Sequence, residues 1–410
     1  MCRIPGYVRI IAGAFIPELP YRGAVKILFN SLPSHGHTYP LLPLALAARD
    51  QGHEIIYSTW GNFHPPLVAL GLDVVHAGAD MQAAFGDAMR EHRIMPGEHV
   101  RLDQDAQNRI ATRVFGDVLP RSTVATLRPV LAERRPDLVI YEAGAPGAAI
   151  AAAAEGVPAV CHGIGRGTMS NTTFRPQDWL SALAEEVGVE YGGTPGFPGG
   201  TPYLDIYPLS LQDPEHAAGY VSRIPLRPTA FAEPGELPDW VTEHREKLIY
   251  LTLGTAFGSA SVLRAAIDGL AATGHRVLVA AGPTVPVDSL GDVPANVTVL
   301  PWVPQADLLP HTDLVVHHGG AGTTLGTAAV GVPQLVLPQG ADQFVNADAI
   351  SAHGSGRQLV GPGLTAEAVT AAADGLLADE SATKLARSLA DEIAAMPTPA
   401  EVAERLPEYA

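Results

Sequence analysis

The sequence predicts an α/β protein built from two doubly wound, Rossmann-like domains. Its length, its rhythm and one break carry that reading. At roughly 150 residues per domain, a chain of 410 residues holds two to three domains. Short apolar runs alternate with longer helix-like patterns, as in β-α-β units. The rhythm occurs twice, on either side of a proline-rich interval.

In the first half the predicted strands are Val25 to Asn30, Glu54 to Ser58, Asp73 to His76, Asp137 to Tyr141 and Pro158 to Cys161. Helical patterns separate them at Leu41 to Arg49, Asp103 to Glu133 with breaks, and Ala145 to Ala154. In the second half strands are predicted at Leu248 to Leu253, Val277 to Ala280, Val297 to Leu300, Leu314 to His317 and Gln334 to Leu337. The helices there are Val262 to Ala271, Thr323 to Ala329, Phe344 to Ala352 and Ala366 to Leu377. Between the halves, prolines 225, 228, 234 and 238 rule out a helix or a central strand. The expected division is therefore an N-terminal extension at 1–23, disordered, an N-terminal domain at 24–222 and a linker at 223–245. A C-terminal domain follows at 246–380, with a helical tail at 381–410, broken by Pro397 and Pro399, that can pack back on the N-terminal domain. Residues 81–101 and 163–200 lose periodicity and read as long surface loops at strand ends, where such folds bind ligands.

Composition excludes several functions. A hydrophobic fraction of 47% with 17% charged residues describes a folded chain rather than a disordered one. A net charge of −17 repels a phosphate backbone, so nucleic acid is not an expected partner. Any anionic ligand must be held by local amides and helix N-termini. Cys2 and Cys161 make no disulfide framework. The most apolar stretch, around Ala143 to Val160, is interrupted by Pro146, Glu155 and Pro158; no transmembrane helix is expected. The faint signal-like piece Ile10 to Ile16 contains Gly13 and lacks a cleavage site, and a cytoplasmic location is expected.

The strongest motif is Leu314-Val-Val-His-His-Gly-Gly-Ala-Gly-Thr-Thr-Leu-Gly326, a strand breaking into a glycine-rich turn that opens a helix. Such a turn delivers backbone amides and a helix dipole to a phosphate. Glycines 319, 320 and 322 allow close approach, Thr323 and Thr324 add hydroxyls, and His318 adds a ring nitrogen. Leu325 stands where a dinucleotide fingerprint needs a small residue, and Gly322 stands where a P-loop needs lysine. In the first half, Ser31-Leu-Pro-Ser-His-Gly-His-Thr-Tyr-Pro40 places two histidines between a strand and a helix. A histidine there titrates in the range a general base requires.

The stretch Val297 to Asn346, with Pro301-Trp-Val-Pro-Gln305, His318-Gly-Gly-Ala-Gly-Thr-Thr324 and Asp342-Gln343, resembles the donor-binding region of the family 1 glycosyltransferases. Within them it is most similar to the bacterial enzymes of antibiotic biosynthesis, such as the calicheamicin and macrolide glycosyltransferases. The resemblance runs from Val25 to Ala410 and implies the GT-B architecture, with the two domains facing a central cleft. It implies that Trp302 stacks on the nucleotide base, that the Val303 backbone reads the base edge, and that Gln305 lies near the ribose. It gives the diphosphate to His318, Gly320, Gly322, Thr323, Thr324 and Thr255, and the sugar hydroxyls to Asp342 and Gln343. Asp342 reads equally as a helix N-cap. The resemblance assigns the base to His37, with His35 as its competitor. The orienting carboxylate falls at Glu142, where the family commonly has the shorter aspartate.

One base and no second carboxylate nucleophile imply a single displacement with inversion. The implied donor is a nucleotide diphosphate sugar carrying a deoxysugar, dTDP-linked with UDP as the open alternative. The implied acceptor is a hydroxyl of an apolar natural product such as a polyketide, enediyne or macrolide, with C- or N-linkage also left open. Phe85, Met95, Met169, Phe174 and Trp179 are candidate acceptor liners that read equally as core. No resident cofactor and no metal are expected, since no cluster has metal-ligand spacing. A homodimer is the assembly left open. Two alternatives stand beside this reading: a nucleotide-sugar epimerase on the same fold, and a non-catalytic glycosyltransferase partner protein.

Overall fold

A computed structural model describes residues 23–91, 104–167, 176–192, 201–219, 222–231, 235–255 and 259–410. The chain forms two parallel sheets. The first contains β1 (Lys26–Asn30), β2 (Glu54–Thr59), β3 (Asp73–His76), β4 (Leu138–Glu142), β5 (Ala159–His162), β6 (Tyr203–Asp205) and β7 (Arg223–Pro225), in the order β3-β2-β1-β4-β5-β6-β7. The second contains β8 (Leu248–Thr252), β9 (Arg276–Ala280), β10 (Val297–Leu300), β11 (Leu314–His317), β12 (Gln334–Val336) and β13 (Gly356–Gln358), in the order β10-β9-β8-β11-β12-β13. Both orders reverse at the first strand of the sheet. In such sheets the crevice beyond the strand ends at that reversal is where ligands bind.

The central strands are continuous apolar runs because helices cover both faces. Ile27, Leu28 and Phe29 of β1, and Leu138 to Tyr141 of β4, are fully buried. One apolar cluster joins residues under the first sheet, such as Phe29, Leu44 and Tyr57, to Leu325, Val336, Ala347 and Ile350 of the second half. The tail takes part in it. Asp379 caps helix Glu380–Ala394 by accepting from the Ser381 and Ala382 amides, and Thr398 and Glu401 form a capping box on helix Pro399–Ala403. Met396, Val402 and Leu406 are buried in the same cluster. The Arg227 amide donates to the Pro397 carbonyl at 2.7 Å, and Gln51 Nε2 donates to the Ala400 carbonyl at 2.8 Å.

The structure corrects three expectations. The linker does not begin at 223: Arg223–Pro225 is β7, at the sheet edge, where proline's missing N–H costs no ladder bond. The 81–101 loop starts as a helix, Met81–Glu91, whose buried Ala84 and Ala88 lie four residues apart on one face. The 163–200 loop contains helix Gln177–Glu186, which buries Leu180, Leu183 and Ala184. The expected extension, except Gly23, and the liners Met95, Met169 and Phe174 lie outside the described residues.

Candidate active site

Parallel pairing of β1 with β4 sets Asn30 beside Tyr141, so Glu142 emerges directly under the loop that follows β1. That loop turns into the short helix His35–Thr38. His37 Nδ1 lies 2.9 Å from Glu142 Oε1. The longer glutamate side chain spans the gap, fully buried, while the histidine side chain is 21% exposed. The carboxylate also accepts from the Leu32 amide at 3.3 Å on Oε1 and from the Gly144 amide on Oε2. As a carboxylate cannot donate, His37 carries its proton on Nδ1 and presents an Nε2 lone pair. His35 is exposed and packs edge-on against Tyr39 and Phe63, with ring centroids at 4.9 and 5.2 Å. It is not the partner of Glu142.

Burial pulls the pKa of His37 down, but the charge and hydrogen bond of Glu142, with Asp342 further off, outweigh it and leave the pKa above the usual 6.5. Two pH effects follow. The pair stabilises the fold in full below about pH 6.5, and that contribution is lost as pH rises through the raised value. A base must be neutral, so kcat/KM is expected to climb with pH through a point above 6.5. A pH profile between 5 and 9, read with roughly half-unit steps, tests this; a flat profile removes His37 from proton transfer.

The second half brings its own groups to the cleft. After β11 the chain turns at Gly319 and enters helix Ala321–Ala329 with no side-chain cap, leaving first-turn amides for an anion. His318 is wedged between two loops: a Cβ on Gly254 would lie 2.5 Å from its ring, and one on Gly320 2.4 Å. Burial lowers its pKa to about 4, so it is neutral at pH 7 and donates from one nitrogen at most. Thr323 Oγ1 donates to Gln305 Oε1 at 3.2 Å, and Thr324 Oγ1 to the Gly320 carbonyl at 3.0 Å. Their hydroxyl hydrogens are engaged within the protein here, and the amides remain. Gln305 is held against that helix and by the Tyr250 hydroxyl at 3.4 Å. Thr255, beyond β8, is exposed.

Trp302 is 46% exposed and rests one ring edge on Gly235; it is not a core tryptophan. Val303 is buried behind it. Asp342 stands at the head of helix Gln343–His353 but makes no cap bond with its side chain. Its Oδ2 instead accepts from Asn346 at 3.2 Å, and Gly165 of the N-terminal half packs against the same oxygen. Burial raises the Asp342 pKa, against the Asn346 bond and the His37 charge. Gln343 Oε1 is occupied by the Gln339 and Gly340 amides, at 2.7 and 3.1 Å.

Sequence reasoning missed the groups behind these. His317 Nε2 donates to Gln334 Oε1 at 2.8 Å, and its Nδ1 accepts from the Gly319 amide at 3.0 Å, locking the turn. Asn346, four residues beyond Asp342, was readable as sharing its helix face; Tyr207, which reaches Asn346 at 2.7 Å, left no local signal. Among the described residues no three His, Cys, Asp or Glu side chains converge to hold a metal ion, and no helix is long and apolar enough to cross a membrane.

Two Rossmann-like parallel-sheet domains, one carrying a histidine–carboxylate pair and the other a glycine-rich turn that opens a helix, form the GT-B fold of a glycosyltransferase. Descriptions of the erythromycin biosynthesis protein CIII-like N-terminal and C-terminal domains match residues 46–254 and 264–409. The chain belongs to that family. It is 31% identical over 405 residues to an L-demethylnoviosyl transferase of Streptomyces niveus, and 34% identical over 397 residues to the elloramycin glycosyltransferase ElmGT of Streptomyces olivaceus. Each alignment covers 93% of this chain and 97% of the relative. The crystal structure of SsfS6, a Streptomyces sp. SF2575 glycosyltransferase complexed with thymidine diphosphate, matches with a TM-score of 0.75 at 28% identity, over 94% of this chain and all of that one.

Proposed function

We propose that the protein transfers a deoxysugar from a thymidine diphosphate carrier to a hydroxyl of an apolar natural product, with inversion and without a metal ion. The observation that carries this reading is the 2.9 Å pairing of His37 with Glu142, on the half opposite the anion turn. The acceptor hydroxyl gives its proton to His37 Nε2 as its oxygen attacks the anomeric carbon. Glu142 stabilises the imidazolium, and the departing diphosphate moves into the amides at 319–324 beside His318. Those amides and the helix dipole supply positive charge where negative charge develops. One displacement inverts the anomeric centre.

The thymidine carrier is supported by the ligand of SsfS6. An apolar acceptor is supported by the surroundings of the dyad: Leu32 and Ala145, next to its two loops, pack with Phe85, Met81, Met89 and Phe115. The relatives named above are both transferases, which favours transfer over epimerisation or a non-catalytic partner. The test incubates the protein with a dTDP-deoxysugar and a panel of polyketide aglycones, with and without EDTA. Expected is a product of the glycoside mass, with inverted anomer, at a rate EDTA leaves unchanged. No calorimetric binding of either thymidine or uridine diphosphate would sink the reading.

The half-exposed indole of Trp302 offers a face for the base. Trp302→Ala is expected to weaken thymidine diphosphate binding by about 1–3 kcal/mol, as for other base-stacking platforms. Unchanged affinity in the same titration would remove Trp302 from the donor site.

A further inference from the structure

A buried polar clamp lies at the ends of β6 and β7, outside the catalytic pair. Asp205 is fully buried and accepts from Arg223 Nε at 2.7 Å and from Gln212 Nε2 at 3.1 Å on both oxygens. The same carboxylate accepts from the Tyr207 amide at 2.9 Å, and Arg223 donates to the Tyr207 carbonyl at 3.2 Å. The Tyr207 backbone is thus fixed on both sides, with its ring fully buried. Its hydroxyl crosses to the second half and meets Asn346 Oδ1 at 2.7 Å.

Asn346 is itself 1% exposed. Its Nδ2 donates to the Gly319 carbonyl at 2.8 Å and to Asp342 Oδ2 at 3.2 Å. Both are pure acceptors, so the amide nitrogen faces them, the amide oxygen faces Tyr207, and the tyrosine must donate. One side chain therefore ties three things together: the turn given to the diphosphate, the carboxylate given to the sugar, and a residue of the other domain. Gly319 has φ of +92°, a conformation without a side chain to hold it, and the Asn346 bond pins its carbonyl from behind. In the closed interior an unmatched amide oxygen is costly, so removing the tyrosine hydroxyl weakens the hold that keeps Nδ2 on both partners.

We propose that Tyr207 is a positioning residue for donor binding: acting through Asn346, it keeps the Gly319 turn and the Asp342 carboxylate in mutual register. The proposal rests on the donor occupying the site proposed above. Tyr207→Phe is expected to raise the Kd for thymidine diphosphate and the donor KM roughly 5- to 30-fold, with kcat at saturating donor within about threefold of wild type. A merely structural role would lower Tm and leave Kd, measured well below Tm, where it was. In an Asn346→Ala background the tyrosine substitution is expected to add little, because the route through Asn346 is gone. Ser210→Ala removes a different contact between the halves, Ser210 Oγ to Glu392 at 2.5 Å, and is expected to leave Kd unchanged. Asn346→Asp keeps the shape but turns an oxygen on Gly319 and Asp342; it is expected to weaken donor binding at least as much, and it decides the matter if Tyr207→Phe does not fold. Wild-type Kd in the variants overturns the proposal alone. Failure of the wild type to bind either nucleotide overturns the function reading and this proposal with it.

Discussion

Replacing His37 with alanine is expected to lower kcat by roughly two to four orders of magnitude, the usual contribution of a general base, while thymidine diphosphate binds as before. On the proposed reading the two effects separate, because the groups assigned to them belong to different halves of the chain. His37 rises from the loop after β1, whereas the diphosphate is given to the turn after β11. The imidazole is 21% exposed, so truncation opens little core, and the Leu32 and Gly144 amides continue to satisfy Glu142. The fold is therefore expected to survive, and a thermal melt alongside steady-state kinetics and nucleotide titration checks all three. Equal losses of turnover and nucleotide affinity would place His37 in binding rather than in proton transfer.

The sequence was most legible where burial is symmetric. β1, β4, β8 and β11 are covered on both faces, so their apolar runs are continuous and their ends fell within about two residues of the structural ones. β6, β7 and β13 hold three residues each, too few to show a period, and β7 ends in a proline that argues against a strand. Helix Met81–Glu91 is built on alanine and methionine with Gly86 inside, which dilutes its apolar stripe.

At the site, motifs local in sequence were readable and contacts between distant segments were not. His37 and the Gly319 to Thr324 turn declare themselves in a few residues. Whether a glutamate could replace an aspartate beside His37 depended on a gap set by the β1–β4 register, across 105 residues of chain. The Thr324 hydroxyl turned back to the carbonyl four residues earlier, a local competitor that threonine in a helix commonly chooses. The clamp through Asp205 and Tyr207, Arg223, and Asn346 joins three segments by polar bonds that carry no sequence period at all.

Glu142→Gln is expected to cost roughly two to four orders of magnitude in kcat although it changes one atom, by analogy with carboxylate-to-amide changes in other histidine dyads. The amide has one oxygen and one NH2 to place in a pocket built for two acceptors. The Gly144 amide donates to Oε2 and the Leu32 amide to Oε1, so whichever way the glutamine turns, its NH2 faces a backbone donor. With the NH2 at the Oε1 position, it meets the Leu32 amide and the His37 ring. An NH2 facing Nδ1 binds its lone pair and moves the ring proton to Nε2, the nitrogen that must be empty to accept the acceptor's proton. The imidazolium also loses the charge that stabilised it, so the His37 pKa falls from its raised position and the acidic limb of the pH profile moves down. Kinetics across pH for wild type and Glu142→Gln distinguish this from simple loss of packing. A lowered plateau with the limb at lower pH supports the dyad, whereas a lowered plateau with the limb unmoved would mean that Glu142 neither charges nor orients His37.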